Sequence, residues 1–190
     1  MSDGGATARL FVAVDLPAEV RRALTAWARL AARGARSSEP AASAPLRVLD
    51  AELLHVTICF LGERPLQEVD SIAQELAACE RASAHVSLGA PLWLPPRHPR
   101  ALAVELHDDD GALAETHAQV TRKLQPGEPR RHRFRPHVTV ARMRHGDAPR
   151  ERSLPPTPAH TFAPSELVLY RSWLSPQGAS YEALSAFALG

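Results

Sequence analysis

The tripeptide His-Val-Thr occurs twice in this chain, beginning at His55 and at His137, each time within an apolar, β-branched stretch. Such stretches are typical of β-strands, in which successive side chains point to opposite faces. His55 therefore shares a strand face with Thr57, and His137 shares one with Thr139. Two such strands side by side would bring two imidazoles and two hydroxyl groups into one cleft. That set of groups suits general acid–base catalysis with hydrogen-bond donors close to the reacting atoms.

A single histidine on a strand is more often a structural residue than a catalyst, and one such tripeptide carries little information. Here one copy is followed by Phe-Leu-Gly at 60–62 and the other is preceded by Arg-Phe-Arg-Pro at 133–136. We therefore interpret the pair as functional. The alternative is a non-catalytic module that holds a phosphate or nucleotide with the same side chains. Binding alone would more simply use arginine, lysine or backbone amides.

Four separated blocks of the sequence resemble one family, in the order in which that family has them. The blocks are residues 9–17 (RLFVAVDLP), 55–63 (HVTICFLGE), 134–142 (FRPHVTVAR) and 167–174 (LVLYRSWL), the last followed by Gly178 and Tyr181. On these residues the chain resembles the 2H phosphoesterases. Among them it is most similar to the bacterial and archaeal RNA 2′,3′-cyclic phosphodiesterases, which are also known as 2′-5′ RNA ligases. The resemblance covers nearly the whole chain.

The resemblance implies hydrolysis of RNA 2′,3′-cyclic phosphate ends to 2′-phosphomonoesters, with reversible 2′-5′ ligation as the accompanying reaction. It implies no metal and no other cofactor, and RNA ends or small cyclic nucleotides as ligands. His55 would be the proton donor and His137 the proton acceptor. Thr57, Thr139 and Arg142 would bind the phosphate, the threonines by donating hydroxyl hydrogen bonds to its oxygens.

The expected position of Arg142 needs more than the strand pattern. Strand alternation alone places it on the face of Val138 and Val140, so its contact with the phosphate relies on the resemblance and on a strand end that twists. Arg135 is the second candidate for this contact. Positive charge near an imidazole lowers its pKa, so both arginines favour a neutral His137 that acts as the base.

Position 59 departs from the family pattern, because Cys59 stands where relatives often have a basic or aliphatic residue. Strand alternation puts Cys59 on the cleft face with His55 and Thr57, so one phosphate or base contact would be missing or replaced. A catalytic thiolate is the less favoured alternative, since no residues that would activate a thiol are evident nearby.

Phe134 and Trp93 are candidate stacking platforms for a base, although each fits a core position equally well.

The composition fits one globular domain of 190 residues, of which 45% are apolar, with a formal net charge of only +1. So small a charge predicts neither a long nucleic-acid footprint nor a membrane surface. Six arginines and no acidic residue lie between positions 130 and 145, which indicates a basic rim beside the second motif. We expect a cytoplasmic monomer, with residues 1–8 as a flexible leader and residues 9–190 as one two-lobed domain.

Cys59 and Cys79 lie in apolar segments, which indicates buried, reduced thiols rather than a disulfide. The nine histidines show none of the close spacings typical of zinc sites, and His132 and His137 stand among arginines, which oppose a cation. No apolar run approaches the ~20 residues that cross a bilayer, and the polar stretch at 1–5 does not fit a signal peptide. We therefore expect neither a metal nor a membrane partner.

The spacing of apolar residues predicts strands at 9–16, 46–49, 53–60, 85–88, 101–106, 137–142, 166–173 and 181–188. It predicts helices at 18–33, from Pro65 to near Glu80, and from the acids at 108–110 to Leu124, with loops at 34–45, 91–99 and 147–158. The acids at 108–110 suit a helix N-terminus. Trp27 and His117 fall on the apolar faces of their helices, so both are expected to be packed.

Strands and helices alternate, yet the two closing strands follow each other directly and could form a hairpin. This order favours an α+β fold over a doubly wound parallel sheet. The repeated motif suggests two similar lobes that face each other across a pseudo-two-fold axis, although the remaining sequence is too dissimilar to predict a duplication. The resemblance implies two mainly antiparallel sheets that form a V-shaped central cleft, with the helices packed outside.

Overall fold

The computed structural model describes residues 6–34, 46–80, 85–126, 133–144, 153–175 and 178–189. The strands are β1 (Thr7–Asp15), β2 (Leu46–Val48), β3 (His55–Pro65), β4 (Val86–Leu94), β5 (Ala101–His107), β6 (His137–Met143), β7 (Thr161–Phe162), β8 (Glu166–Ser175) and β9 (Gly178–Ala188). The α-helices are α1 (Ala18–Gly34), α2 (Val69–Ala77) and α3 (Ala112–Leu124). The mostly antiparallel strands and few helices confirm the predicted α+β class.

The strands follow the order β7-β4-β5-β6-β3-β1-β8-β9, and β2 pairs with β6. Every pairing between described strands is antiparallel. The two histidine strands, β3 and β6, meet in the middle of this order through the pair Val56 and Val138. We call β3, β1, β8 and β9 the first lobe, and β6, β5, β4 and β7 together with β2 the second lobe.

The two lobes repeat the same pairing around their histidines. β1 carries Val-Ala-Val-Asp at 12–15, and β5 carries Leu-Ala-Val-Glu at 102–105. In each lobe the acid lies opposite the histidine and the alanine lies opposite the threonine. The register also shifts at the same place in both, immediately before the alanine. An equivalent register of this kind is what a pseudo-two-fold axis between the lobes produces, and the sequence alone was too divergent to predict it.

The register shifts are β-bulges within the two histidine strands. In the pairing of β1 with β3, Ile58 is the extra residue, because one step along β1 spans two steps along β3. Val140 is the extra residue in β6. Both Ile58 and the following Cys59 are buried, as are Val140 and the following Ala141. Each bulge thus turns two successive side chains to the core and shifts the alternation of every residue beyond it.

The helices pack on the outer side of the sheet and connect the lobes. α1 follows β1 of the first lobe but packs against β2 and β6 of the second, whereas α3 follows β5 and packs against β3. Trp27 on α1 is buried, as predicted, and its indole N–H donates a hydrogen bond to the Pro155 carbonyl at 3.2 Å. Asp108 caps α3 by accepting hydrogen bonds from the backbone N–H groups of Leu113 and Ala114. The predicted cap is therefore confirmed.

One predicted boundary is refined and another is wrong. Pro65 is both the last residue of β3 and the N-cap of a 3₁₀ helix at Leu66–Glu68, which leads into α2 at Val69. β4 continues to Leu94, so the first half of the expected loop at 91–99 is strand, paired residue by residue with β5. A register shift before Pro91 accommodates this proline, which cannot donate a ladder hydrogen bond. Local composition predicted a loop because it carries no information about the partner strand.

Several predicted features lie outside the described residues. They are residues 1–5 of the leader predicted at 1–8, most of the loop at 34–45, the first part of the loop at 147–158, and Arg130, Arg131 and His132. The closing hairpin is confirmed, since β8 pairs with β9 along its whole length. None of the α-helices in the described part of the chain is long and apolar enough to cross a membrane.

Candidate active site

A cleft of about 650 Å³ lies between the lobes, on the face of β3 and β6 that carries the two histidines. It is lined by all five residues that the sequence singled out: His55, Thr57, His137, Thr139 and Arg142. Because Val56 lies opposite Val138 in an antiparallel pair, each histidine lies beside the threonine of the other strand. The two histidines and two threonines therefore form a quartet that obeys the pseudo-two-fold axis.

Both imidazoles are oriented by the same backbone contact. Nδ1 of His55 donates to the carbonyl oxygen of Leu53 at 2.9 Å, and Nδ1 of His137 donates to that of Arg135 at 2.8 Å. A carbonyl oxygen can only accept a hydrogen bond, so Nδ1 carries a proton in each ring. Nε2 is then the atom of each ring that is left to exchange a proton with a ligand in the cleft.

An aromatic wall, made of Phe11, Tyr170 and Tyr181, encloses His55. The ring centroids of these residues lie 5.0, 6.3 and 5.3 Å from that of the imidazole, and Tyr181 meets it edge-on. The position in β5 that is equivalent to Phe11 is occupied by Ala101. The pseudo-symmetry of the quartet is therefore broken in the surroundings of its two imidazoles.

This wall has an electrostatic consequence for His55. Burial, which removes water from the imidazolium form, is the main cause that lowers the pKa of His55 to about 4, and the charge of Arg142 acts in the same direction. The hydrogen bond to the Leu53 carbonyl acts in the opposite direction but is the weaker effect. In the free protein at neutral pH, His55 is consequently an uncharged ring.

The two arginines have different partners in the structure. Arg142 lowers the pKa of His55. Arg135 donates from Nε to Oε1 of Glu105 at 2.6 Å, and this hydrogen-bonded ion pair lowers the pKa of the carboxyl group. The charge of Arg135 is therefore engaged by an acid of the neighbouring strand. That the two arginines favour a neutral His137 stays a prediction.

A titration of the histidine ring protons by NMR tests the effect of the aromatic wall. We expect the His55 signal to titrate near pH 4 in the wild type. Phe11→Ala admits water to the ring and is expected to move the midpoint upwards, towards the ordinary value of ~6.5. Trp173→Ala, which removes a ring outside the wall, is the control and is expected to leave the midpoint in place. A wild-type midpoint near ~6.5 would contradict the burial argument.

Arg142 reaches the cleft because of the bulge at Val140, and a twisted strand end is not needed. The equivalent residue of the first lobe is Phe60, which lines the cleft and is 65% exposed. Strand alternation did not single out Phe60 as a site residue, although it stands at the same spacing from His55 as Arg142 does from His137. Comparing the two motifs position by position, rather than each strand by itself, would have found it.

The same kind of bulge, at Ile58, makes the prediction for Cys59 wrong. Cys59 is 5% exposed and lies behind the cleft, where its Sγ donates to Oε1 of Gln125 at 3.3 Å. Burial raises the pKa of this thiol, so it is poorly suited to form a nucleophilic thiolate. Cys79 is likewise buried, and the two cysteines do not form a disulfide, as expected. The departure at position 59 therefore removes no contact from the cleft.

His117 and Phe134 form a stacked pair on the cleft wall, with ring centroids 4.3 Å apart and an interplanar angle of 9°. Nδ1 of His117 donates to the carbonyl oxygen of Ile58, the bulged residue of β3, at 2.8 Å. His117 is thus packed, as predicted, but against a ring of the cleft. Phe134 lines the cleft and also packs against the core, whereas Trp93 packs against the core and is not part of the lining.

Positive charge dominates the lining of the cleft. The arginines among the lining residues are Arg9, Arg47, Arg133, Arg135 and Arg142, and none of the described residues that line it is acidic. The predicted basic rim supplies three of these five. Arg9 and Arg47 come from β1 and β2, far away in sequence, and no local pattern marked them. The cleft is therefore built to hold an anion.

Comparison with known proteins gave three curated relatives, each named RNA 2′,3′-cyclic phosphodiesterase. The Thermus thermophilus relative is 33% identical over 192 residues, which cover 95% of this chain and 90% of the relative. The Geobacillus stearothermophilus relative is 30% identical over 189 residues, 94% of this chain but 56% of the relative, so the chain spans about half of its length. The Escherichia coli relative is 26% identical over 190 residues, 95% and 96% of the two chains. No family model matches the chain.

Solved structures show the same fold. A crystal structure of a Thermus thermophilus protein matches with a TM-score of 0.72 at 30% identity, covering 95% of this chain and 97% of the other. Escherichia coli LigT, crystallised with ATP, matches with a TM-score of 0.70 at 26% identity, covering 96% and 98%. In both cases the likeness extends over nearly the whole of each chain.

Proposed function

The chain belongs to the RNA 2′,3′-cyclic phosphodiesterase family of the 2H phosphoesterases, and from this premise we propose that it hydrolyses RNA 2′,3′-cyclic phosphate ends to 2′-phosphomonoesters. The observation that carries the proposal is the quartet, in which two imidazoles and two hydroxyl groups meet in one cationic cleft. RNA ends and small cyclic nucleotides are the proposed ligands. The structure of LigT with ATP supports a cleft of nucleotide size in this fold.

The proposed reaction needs two proton transfers. The oxygen of a water molecule bonds to phosphorus, the bond from phosphorus to O3′ breaks, and O3′ leaves with a proton. His137 takes the proton from water and His55 supplies the proton to O3′, which leaves the phosphate on O2′. Each well-placed proton-transfer group is typically worth about 10²–10⁴ in rate. Proton exchange with solvent then restores both rings.

Three further residues are proposed to stabilise the charge on the phosphate. The hydroxyl groups of Thr57 and Thr139 donate to its non-bridging oxygens, and the guanidinium of Arg142 adds a charged contact. The donors come from both histidine strands, so the phosphate is held between the two imidazoles. In this arrangement one ring lies on the side of the attacking water and the other on the side of the leaving oxygen.

The neutral state of free His55 places a condition on its proposed role as donor. The phosphate must bring His55 into its imidazolium form, because only that form can protonate O3′. An anion bound beside a ring from which water is excluded stabilises the imidazolium strongly. A proton taken up with the substrate therefore meets the condition. An imidazolium of low intrinsic pKa is also the stronger acid once it has formed.

A direct test uses a short RNA that ends in a 2′,3′-cyclic phosphate, incubated with the protein in EDTA. We expect hydrolysis to a 2′-phosphate end at the rate measured without chelator, because the proposed proton transfers use side chains alone. The same RNA with a 3′-hydroxyl end is the control and is expected to stay unchanged. Loss of activity in EDTA that zinc or magnesium restores would contradict the metal-free mechanism, and a 3′-phosphate product would contradict the proposed regiochemistry.

The same experiment separates hydrolysis from two other outcomes. In the ligation reaction a 5′-hydroxyl replaces water as the nucleophile, the bond from phosphorus to O3′ breaks and a 2′-5′ bond forms, so adding an RNA with a 5′-hydroxyl is expected to yield a small amount of ligated product. Water is in large excess, so hydrolysis is expected to dominate. Binding of the cyclic end without turnover by the wild-type protein would instead identify a non-catalytic module.

A further inference from the structure

Arg47 extends the cationic lining of the cleft beyond the quartet. It lies on β2, directly opposite Arg142 of β6, and both side chains line the cleft. None of the described residues lining the cleft is acidic. The two arginines therefore bring positive charge to the cleft from two neighbouring strands.

The guanidinium of Arg47 is placed on the far side of the cleft, against Gly178 at the start of β9. A Cβ built on Gly178 would lie only 2.5 Å from Nη1 and 2.8 Å from Nη2 of Arg47. Gly178 also has a φ of +137°, which favours glycine. Because β2 belongs to the second lobe and β9 to the first, the Arg47 side chain spans the mouth of the cleft between the lobes.

The guanidinium of Arg47 lies at the first residue of β9, whereas the ring that abuts the imidazole of His55 belongs to Tyr181 of the same strand. Gly178 is three residues from Tyr181, or about 10 Å along the strand at ~3.4 Å per residue. This offset along β9 favours contact of Arg47 with an anionic group of the ligand other than the phosphate between the imidazoles.

We propose that Arg47 binds the phosphate on the 5′ oxygen of the terminal nucleoside, and so makes the enzyme prefer substrates that carry such a phosphate over plain cyclic nucleosides. This inference rests on the proposed function, since it concerns a second phosphate of the same substrate. In an RNA chain the group is the last internal phosphodiester. In a mononucleotide it is a 5′-phosphate.

Three substrates separate these cases: a nucleoside 2′,3′-cyclic phosphate, the same compound with a 5′-phosphate, and a dinucleotide ending in the cyclic phosphate. We expect wild-type kcat/KM to be higher for the second and third than for the first. The preference is the ratio of kcat/KM for a substrate with the additional phosphate to kcat/KM for the plain cyclic nucleoside. Arg47→Ala is expected to lower this ratio about tenfold, because it removes a charge-assisted contact. Arg47→Lys, which keeps the charge but not the forked donors, is expected to retain part of the ratio.

Arg29→Ala is the matched control. It removes the same charge from the exposed face of α1, away from the cleft, and is expected to leave the ratio at its wild-type value. Salt gives an independent readout, because the dependence of log kcat/KM on log salt for the dinucleotide should lose a slope of about 0.7 in Arg47→Ala. A general loss of structure would lower kcat/KM for all three substrates by the same factor and would not change the ratio.

Gly178→Ala tests the placement of the guanidinium. The added Cβ displaces Arg47, so the variant is expected to lower the same ratio, and the double variant with Arg47→Ala is expected to lower it no further. The inference would be overturned if Arg47→Ala lowered kcat/KM equally for all three substrates, or lowered it for none of them. A wild-type enzyme that hydrolyses all three equally would also overturn it while leaving the proposed function intact. Absence of hydrolysis of all three would count against the proposed function itself.

Discussion

Replacing either histidine of the quartet by alanine is expected to lower turnover of an RNA 2′,3′-cyclic phosphate by about 10² or more. Each substitution removes one of the two proton transfers. His117, a third imidazole of the lining whose Nδ1 bonds to a backbone carbonyl, is stacked on Phe134 and is not part of the quartet. The double variant is expected to lose little more than the worse single variant, because the two rings act as a unit. Single-turnover rates with excess enzyme measure the chemical step directly.

The threonines supply the matched comparison. Thr57→Val and Thr139→Val keep the size of the side chain and remove one neutral hydrogen bond each, so they are expected to cost about tenfold or less. His55→Asn retains a donor that can bond to the Leu53 carbonyl, which separates loss of the proton relay from loss of packing. Circular dichroism and thermal melting of each variant establish that it is folded. Near-wild-type turnover in His55→Ala or His137→Ala would contradict the paired-imidazole mechanism.

A substrate with an activated leaving group is expected to restore most of the activity of His55→Ala, an increase of about 10² or more over the natural substrate. Such a leaving group departs without a proton, so the donor becomes dispensable. His137→Ala still lacks the group that activates water and is expected to stay inactive. The measurement is kcat/KM for both variants on a 2′,3′-cyclic phosphate analogue with a low-pKa leaving oxygen, compared with the wild type.

The opposite result has a clear meaning in this structure. Rescue of His137→Ala, with His55→Ala remaining inactive, would assign His55 as the base. The depressed pKa of His55 would then describe its working state, because a base must be neutral before it acts. Under the proposed assignment the substrate must instead bring about protonation of His55. Phe11→Ala is expected to raise the pKa of His55. If His55 is the donor, the pH range of activity should therefore widen towards neutrality. If His55 is the base, the midpoint of the acidic limb of the pH–rate profile should move to higher pH.

The internal repeat explains how one framework supplies two unlike groups. The pairing of β1 with β3 and of β5 with β6 places both histidines identically with respect to their neighbours. The differences lie at equivalent positions around them, where Phe11 corresponds to Ala101 and Phe60 to Arg142. One lobe therefore surrounds its histidine with rings, and the other presents a guanidinium to the shared cleft. The equivalent strand pairing of the two lobes fixes the relative position of the imidazoles. The unlike residues at equivalent positions make the electrostatic surroundings of the two rings different.

The sequence by itself determined the elements of the site. Alternation along a strand depends only on local geometry, so the spacing alone pairs His55 with Thr57 and His137 with Thr139. The helix face with Trp27 and the cap at Asp108 were predictable for the same reason. The family followed from blocks of residues that need no knowledge of their contacts.

Tertiary structure alone decided what depends on a partner strand. The bulges at Ile58 and Val140 arise from pairing with β1 and β5, and they turned Cys59 away from the cleft and Arg142 into it. The wall around His55 brings together three rings from β1, β8 and β9, so no local pattern could reveal the burial that lowers its pKa. Arg47 reaches the cleft from a short strand and packs against Gly178 across it. Periodicity is a property of one strand, whereas bulges, burial and charge neighbours are properties of the assembled lobes.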